Sequence, residues 1–329
     1  MSNISIIGAG AWGTTLSILA AENKHNVKLW IYEKELADDI AKTRENKTYL
    51  PGVQLPVTID ISSQLKDALN GADLVIFAVP TQFLRKTAGE AAKYLDKGVL
   101  VLNVSKGIEI KTLKRPSEII EEETKINDIA VLSGPNLSRE IADGLPAASV
   151  VACRDANRAK KVQKLLNSER FRIYSNDDVI GVEISGALKN VAAIAAGIAD
   201  GLKLGDNAKA GLLVRAMTEI QRLGQELGAR GETFFGLSGI GDMIATCSSE
   251  LSRNHKIGAR IAMGQSLRDI VKGAHEVAEG IATAKAVHKL AKKLNVNMPI
   301  TEQVYAVLFD DKNPLQAISD LMRRPIKPE

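Results

Sequence analysis

Up to about residue 180 the chain alternates short runs of β-branched and aliphatic residues with stretches whose apolar positions return at helical spacing. This pattern predicts strands at Ile4–Ile7, Val27–Ile31, Leu74–Val79, Val99–Val104, Ala130–Ser133, Ser149–Ala152 and Arg172–Tyr174. Helical patterns lie between some of them, at Thr14–Glu22, Leu65–Asn70 and Phe83–Tyr94. The strand runs are continuously apolar, as expected of strands covered on both faces, so this half reads as a doubly wound α/β layer. After Val179 the β-rich runs stop. Helical patterns follow at Val182–Ile198, Asn207–Leu227, Ser252–Met263, Ile281–Leu294 and Thr301–Phe309, which predicts an all-helical second domain. The expected division is 1–180 and 181–329, in keeping with a length of 329 residues, beyond what one core usually serves. Gly228–Gly231 and Gly236–Gly241 are expected to be flexible loops of the kind that build sites on rigid scaffolds.

Composition narrows the function classes. The 43 basic and 39 acidic side chains are interspersed, so a net charge of +4 leaves no electrostatic footprint for nucleic acid. Cys153 and Cys247 stand far apart with no metal-ligand spacing, which argues against a disulfide framework or zinc site and suits a reducing cytoplasm. The amino terminus has no basic region and passes from a short apolar run into Gly8, as a strand does and a signal peptide does not. The alanine-rich stretch Val191–Ala199 is interrupted at Asp200 and Lys203, short of the roughly 20 apolar residues a bilayer span requires. It is expected to be a buried helix, without stable membrane insertion.

Gly8-Ala9-Gly10-Ala11-Trp12-Gly13 places a GxGxxG between the first strand and a helix. Gly8 permits the tight turn, Gly10 the approach of a pyrophosphate, and Gly13 close helix–strand packing, so a Rossmann-like dinucleotide site is expected. Glu33, just past the second strand, is placed to bind an adenosine ribose, while its neighbour Lys34 suits a 2′-phosphate, leaving NAD or NADP open. Lys106 leaves a strand at the edge where such sheets bind ligands, and Ser133-Gly134-Pro135-Asn136 leaves the next. Lys189 lies three or four residues from Ser185, Gly186, Ala192 and Ala193, an expected trough of small groups in which a lysine is partly desolvated and usable as an acid or base. Asp242 follows the second glycine loop. Ser252-Arg253-Asn254 reads as a capped helix start, where free N–H groups and a guanidinium form a phosphate receptor. Read singly, Lys106, Lys189 and Arg253 are equally compatible with solvated or snorkelling side chains.

In order and spacing, these segments resemble the bacterial-type NAD(P)-dependent glycerol-3-phosphate dehydrogenase family over nearly the whole chain. Asn46-Lys47-Thr48-Tyr49-Leu50-Pro51-Gly52, Val104-Ser105-Lys106-Gly107-Ile108-Glu109, Gly186-Ala187-Leu188-Lys189-Asn190, Gly239-Ile240-Gly241-Asp242 and Glu276-Val277-Ala278-Glu279-Gly280 complete the match. The resemblance implies interconversion of sn-glycerol 3-phosphate and dihydroxyacetone phosphate with NAD or NADP, supplying glycerol 3-phosphate for phospholipids, in a cytoplasmic homodimer acting on a small phosphorylated substrate. It implies Lys189 as proton acceptor, and Lys106, Gly134, Asn136, Asp242, Ser252, Arg253 and Asn254 as substrate contacts. Gly8, Gly10, Ala11, Trp12, Gly13, Glu33, Lys34, Lys106, Ser138, Arg253, Val277 and Glu279 would contact the cofactor; no metal is required. Asn136 departs from the usual serine or threonine and Ser138 from the usual alanine. Other lysine-dependent reductases of keto acids, a Cys247-dependent sugar-nucleotide dehydrogenase and a non-catalytic dinucleotide-binding protein are the alternatives.

Overall fold

A computed structural model of the protein describes residues 1–272 and 278–326. Strands β1 (Asn3–Ile7), β2 (Asn26–Trp30), β3 (Ile59–Ser62), β4 (Leu74–Phe77), β5 (Leu100–Asn103), β6 (Ala130–Ser133), β7 (Ala147–Ala152) and β8 (Phe171–Asn176) form one sheet in the order β3-β2-β1-β4-β5-β6-β7-β8. The first six run parallel, β7 is antiparallel to β6, and β8 is parallel to β7. All four residues of β4, Leu74-Val75-Ile76-Phe77, are buried, so a continuous apolar run here does mean a strand covered on both faces. β3 is an addition to the expected set. Its sequence, Ile-Asp-Ile-Ser, is short and half-exposed because it lies at the sheet edge.

The sheet is flanked by α1 (Ala11–Glu22), α2 (Lys34–Thr43), α3 (Leu65–Leu69), α4 (Thr81–Ala91), α5 (Pro116–Thr124), α6 (Ser138–Ala142) and α7 (Ala156–Leu166). From residue 179 onward the chain is helical: α8 (Val179–Gly201), α9 (Asp206–Glu226), α10 (Asp242–Ser248), α11 (Arg253–Ala262), α12 (Leu267–Lys272), α13 (Glu279–Leu294), α14 (Pro299–Phe309) and α15 (Pro314–Met322). Of the two glycine segments, the first stays irregular over Gly228–Arg230 with only its last residue entering a helical turn, whereas the second is wound into one. Gly231–Phe235 winds into a 3₁₀ turn and Leu237–Gly241 into a π-type turn. A Cβ on Gly239 would stand 2.0 Å from the Phe234 carbonyl oxygen, so this glycine serves a tight fold-back.

The helix α8 organises the second half. The Asp178 side chain caps it by accepting from the Gly181 N–H at 2.8 Å. It is long and apolar enough to cross a membrane, with mean hydropathy 1.5, yet 89% of that window is buried inside the protein, which makes it a core helix. Its first turn, through Val179 and Val182, packs on Val131, Val150 and Ala152 of the sheet. Farther on, Leu188, Val191 and Ile194 join Met217, Met243, Ile257 and Val287 of the surrounding helices in a separate core. Two glycines let α8 and α11 cross in near backbone contact. A Cβ on Gly197 would lie 2.0 Å from the His255 carbonyl oxygen, and one on Gly258 2.0 Å from that of Ile194.

Candidate active site

The glycine-rich turn is shaped by contacts on two of its three glycines. Gly8 has φ +111° and no room beyond its hydrogen, since a Cβ would meet Ala78 O at 2.7 Å. At Gly13 a Cβ would fall 1.9 Å from Gly8 O, whereas at Gly10 it would meet nothing within 4 Å. The open glycine is the helix N-cap, and no side chain caps the first turn of α1, whose second residue is Trp12 and whose first is Ala11. An open glycine at an uncapped helix start is suited to receive a pyrophosphate, so these residues fit a dinucleotide. Buried Asn46 braces the turn, donating to Ala9 O and Thr14 Oγ1, both at 2.8 Å. The Trp12 indole rests edge-on against Phe171, with Nε1 buried and without a partner among the described residues. Glu33 and Lys34 are exposed at the head of α2, as its N-cap and first residue. Ser138 opens α6, and its carbonyl accepts from Thr15 Oγ1 of α1 at 3.1 Å.

The two lysines meet on one carboxylate. Lys106 Nζ donates to Asp242 Oδ2 at 2.6 Å and to the Gly134 carbonyl at 2.9 Å. Lys189 Nζ lies 2.9 Å from Asp242 Oδ1 and donates to Thr246 Oγ1 at 2.6 Å. Burial pushes the Lys106 ammonium down to about 8 against the opposing pull of Asp242. Burial also pushes the Asp242 carboxyl up, but Lys106 and Lys189 beside it outweigh that and hold it below the usual range. The expected trough of small residues around Lys189 is filled: a Cβ on Gly186 would stand 2.5 Å from Ser133 Oγ and 3.6 Å from Lys106 Cδ. Small size here admits the neighbouring lysine stem.

A polar chain leads from the lysines to α11. Asn190 Nδ2 donates to the Lys106 carbonyl at 3.2 Å, and Asn190 Oδ1 accepts from Asn254 Nδ2 at 3.0 Å. Asn254 Oδ1 accepts in turn from the Gly280 N–H at 3.1 Å. Ser252 caps α11 by accepting from His255 N at 3.3 Å, and Arg253 is exposed as the first residue of the helix. Asn136 accepts from Ser149 Oγ and keeps a buried Nδ2 with no partner among the described residues. Glu279 sits against the start of α4, accepting from Thr81 N at 2.7 Å, and burial pushes its carboxyl up to about 7. Val277 lies outside the described residues.

Thr246 and Glu183 are absent from the sequence-derived candidates. Thr246 stands four residues after Asp242 on one helix face, a spacing that was available as a signal. Glu183 binds Arg115 and Ser117, partners 68 and 66 residues away, which no local pattern reveals. Cys247 is buried and its thiol is pushed up to about 12, which removes the premise of a cysteine nucleophile. A cavity of about 320 Å³ between α13 and α14, lined by His288, Lys292, Thr301 and Glu302, contains none of these side chains. The cavity bordering Lys106, Ser133 and Glu183 measures about 10 Å³.

Comparison with known proteins agrees in both halves. Residues 3–159 match the model of the NAD-dependent glycerol-3-phosphate dehydrogenase N-terminus, and residues 178–319 that of the corresponding C-terminus. The chain is 44% identical to the glycerol-3-phosphate dehydrogenase using NAD(P)+ of Syntrophotalea carbinolica, over 99% of each chain. The enzyme of the same name from Solidesulfovibrio magneticus is 45% identical, again over 99% of each. Among solved structures, the glycerol-3-phosphate dehydrogenase of Coxiella burnetii superposes with a TM-score of 0.95 at 36% identity, covering 98% of this chain and 99% of that one.

Proposed function

Because the chain belongs to the NAD-dependent glycerol-3-phosphate dehydrogenase family, we propose that it interconverts sn-glycerol 3-phosphate and dihydroxyacetone phosphate at the Lys106–Asp242–Lys189 cluster. The observation that carries this reading is the single buried carboxylate of Asp242 within 2.6 and 2.9 Å of two ammonium groups, that of half-buried Lys106 and that of buried Lys189. NAD or NADP supplies the hydride acceptor or donor at nicotinamide C4. In alcohol oxidation the carbinol C–H bond breaks as hydride leaves, and Lys189, acting as a neutral amine, takes the hydroxyl proton. In reduction the protonated amine returns it. Lys106 and Asn190 stabilise the charge developing on the oxygen. Asp242 and Thr246 hold the lysines in place. Gly134 and Asn136 bind the substrate, and Ser252, Arg253 and Asn254 anchor its phosphate.

Gly8, Gly10, Ala11, Trp12 and Gly13 receive the cofactor, with Glu33 and Lys34 at the ribose. Lys106, Ser138, Arg253, Val277 and Glu279 complete that site. The domains we favour are 1–180, which carries most of the cofactor contacts, and 181–329, which carries most of the substrate contacts. A cytoplasmic homodimer supplying glycerol 3-phosphate for phospholipid synthesis is the physiological form we favour. One observation bears on exchanging the two lysine roles: burial lowers the Lys106 ammonium to about 8 against the pull of Asp242. Initial rates of NADH and NADPH oxidation with dihydroxyacetone phosphate, set beside a panel of keto acids, test the reaction. Turnover confined to the triose phosphate is expected; equal rates with a keto acid would displace it.

A further inference from the structure

We propose that Glu183 is a positioning residue for this reaction, fastening the loop that carries Lys106 onto the helix that carries Lys189 and thereby setting the spacing of the two amines. The inference rests on the reading of Lys106 and Lys189 as the reacting pair. Lys106 lies in the long connection between β5 and α5, without regular structure to hold it. The far end of that connection is bound tightly: Glu183 accepts from Arg115 Nη1 at 2.7 Å, Ser117 N at 2.8 Å and Ser117 Oγ at 2.6 Å. At the near end Asn103 Nδ2 lies 3.5 Å from Glu183 Oε1, while the Asn103 side chain clamps Ser105 through its N–H and carbonyl, both at 3.1 Å. One carboxylate therefore reaches both ends of the loop.

The same face of α8 continues the grip. Residues 183, 186 and 190 follow the i, i+3, i+7 spacing of one helical stripe. Gly186 makes room for the Lys106 stem, and Asn190 holds the Lys106 carbonyl at 3.2 Å. Lys189 is the neighbour of the last of these. A buried ion pair such as Glu183–Arg115 seldom adds stability over well-packed apolar side chains, so stability gives little reason for a carboxylate at a site that is 7% exposed. Alignment of two catalytic groups gives a better one.

The test is the pH dependence of kcat in Glu183→Gln, which keeps the shape but presents an amide to a site made of donors. Misplacement by about 1 Å costs up to about 10²-fold, so a fall in kcat of that order is expected, larger than any change in KM for NADH. The groups facing Lys106 are Asp242 of α10 and Lys189 of α8, and burial is the largest influence on it. A loosened loop admits water, so the alkaline limb governed by Lys106 should move upward from about 8. Ser117→Ala, which removes one donor, should move it the same way by less and guards against misfolding of the first variant. A lower melting temperature with the limb unmoved in both variants would overturn the proposal and leave Glu183 a structural residue. Lys106→Met separates the premises. If it abolishes the limb while the Glu183 and Ser117 variants leave it in place, only the positioning role fails; if the limb survives in Lys106→Met, the assignment of Lys106 fails and the proposal with it.

Discussion

Lys106 and Lys189 share Asp242, so removing either amine leaves the carboxylate one ammonium beside the Thr246 hydroxyl and makes the two losses comparable. Lys189→Met should lower kcat by about 10²–10⁴-fold, the usual contribution of a positioned acid–base group, with melting temperature and NADH fluorescence retained. Near-normal kcat across pH in Lys189→Met, beside an inactive Lys106→Met, would reverse the two roles. Glu33 offers a second test. Its exposed carboxylate at the head of α2 repels a 2′-phosphate, so Glu33→Ala should shift the kcat/KM ratio toward NADPH by about fivefold. An unchanged ratio would remove it from the ribose. The glycine turn was legible from its strand–turn–helix setting, whereas each lysine, read singly, was equally open to a solvated side chain and was singled out by the resemblance across the chain. The carboxylate that joins the lysines was visible only as a residue, since Lys106 and Asp242 are 136 positions apart. The trough around Lys189 was misjudged for a related reason: spacing along a helix shows that a face is small, while its contents come from another element.

At the scale of elements, the α8–α11 crossing connects packing to phosphate binding. The glycines that allow it stand against backbone, which has nowhere to yield, so Gly258→Ala should destabilise by about 1–3 kcal/mol and displace the start of α11. Thermal unfolding should show the first effect, and a rise in KM for dihydroxyacetone phosphate larger than that for NADH the second. A stable variant with both constants unchanged would dissociate the crossing from the site. Long, strongly periodic elements such as α8, α9 and α13 were legible to within a few residues. Four helices of the first half, α2, α5, α6 and α7, were not; α6 is five residues long and buries only Ile141. α2 buries only Ala37 and Ile40, too few apolar positions to mark a period. α5 carries its signal at its start, in the Arg115–Glu118 capping box with Pro116, whereas α7 has both the Asp155 cap and a buried stripe of Ala159, Val162 and Leu166 that went unread. β3 escaped notice because an edge strand needs only one covered face.

At the scale of the whole molecule, buried carboxyls tie stability to pH. Burial pushes Glu219, which accepts from Ile300 N at 2.7 Å at the start of α14, up to about 7 from an ordinary 4.5. A raised folded value means that folding takes up a proton between these limits. The contribution is complete below pH 4.5 and is lost as pH rises through about 7. Glu279 adds in the same direction. Glu219 contributes on the order of 3 kcal/mol, so Glu219→Gln should flatten the fall in melting temperature between about pH 5 and 8; an unaltered slope would assign the dependence elsewhere. The two-part architecture was legible from the change of periodicity near Val179, but that change does not coincide with a change of core. Val179 and Val182 belong to the sheet's packing, while the same helix one turn later serves the other core. This has a consequence for the order in which the chain is made. A ribosome that has released β8 has delivered every strand, but not the cover over Val131, Val150 and Ala152. The nascent sheet stays greasy on that side until α8 emerges, and the helix bearing Lys189 is the piece that seals it. Exchange of halves between homologues by recombination therefore has to carry the start of α8 with the sheet and its remainder with the helices, although no linker separates them.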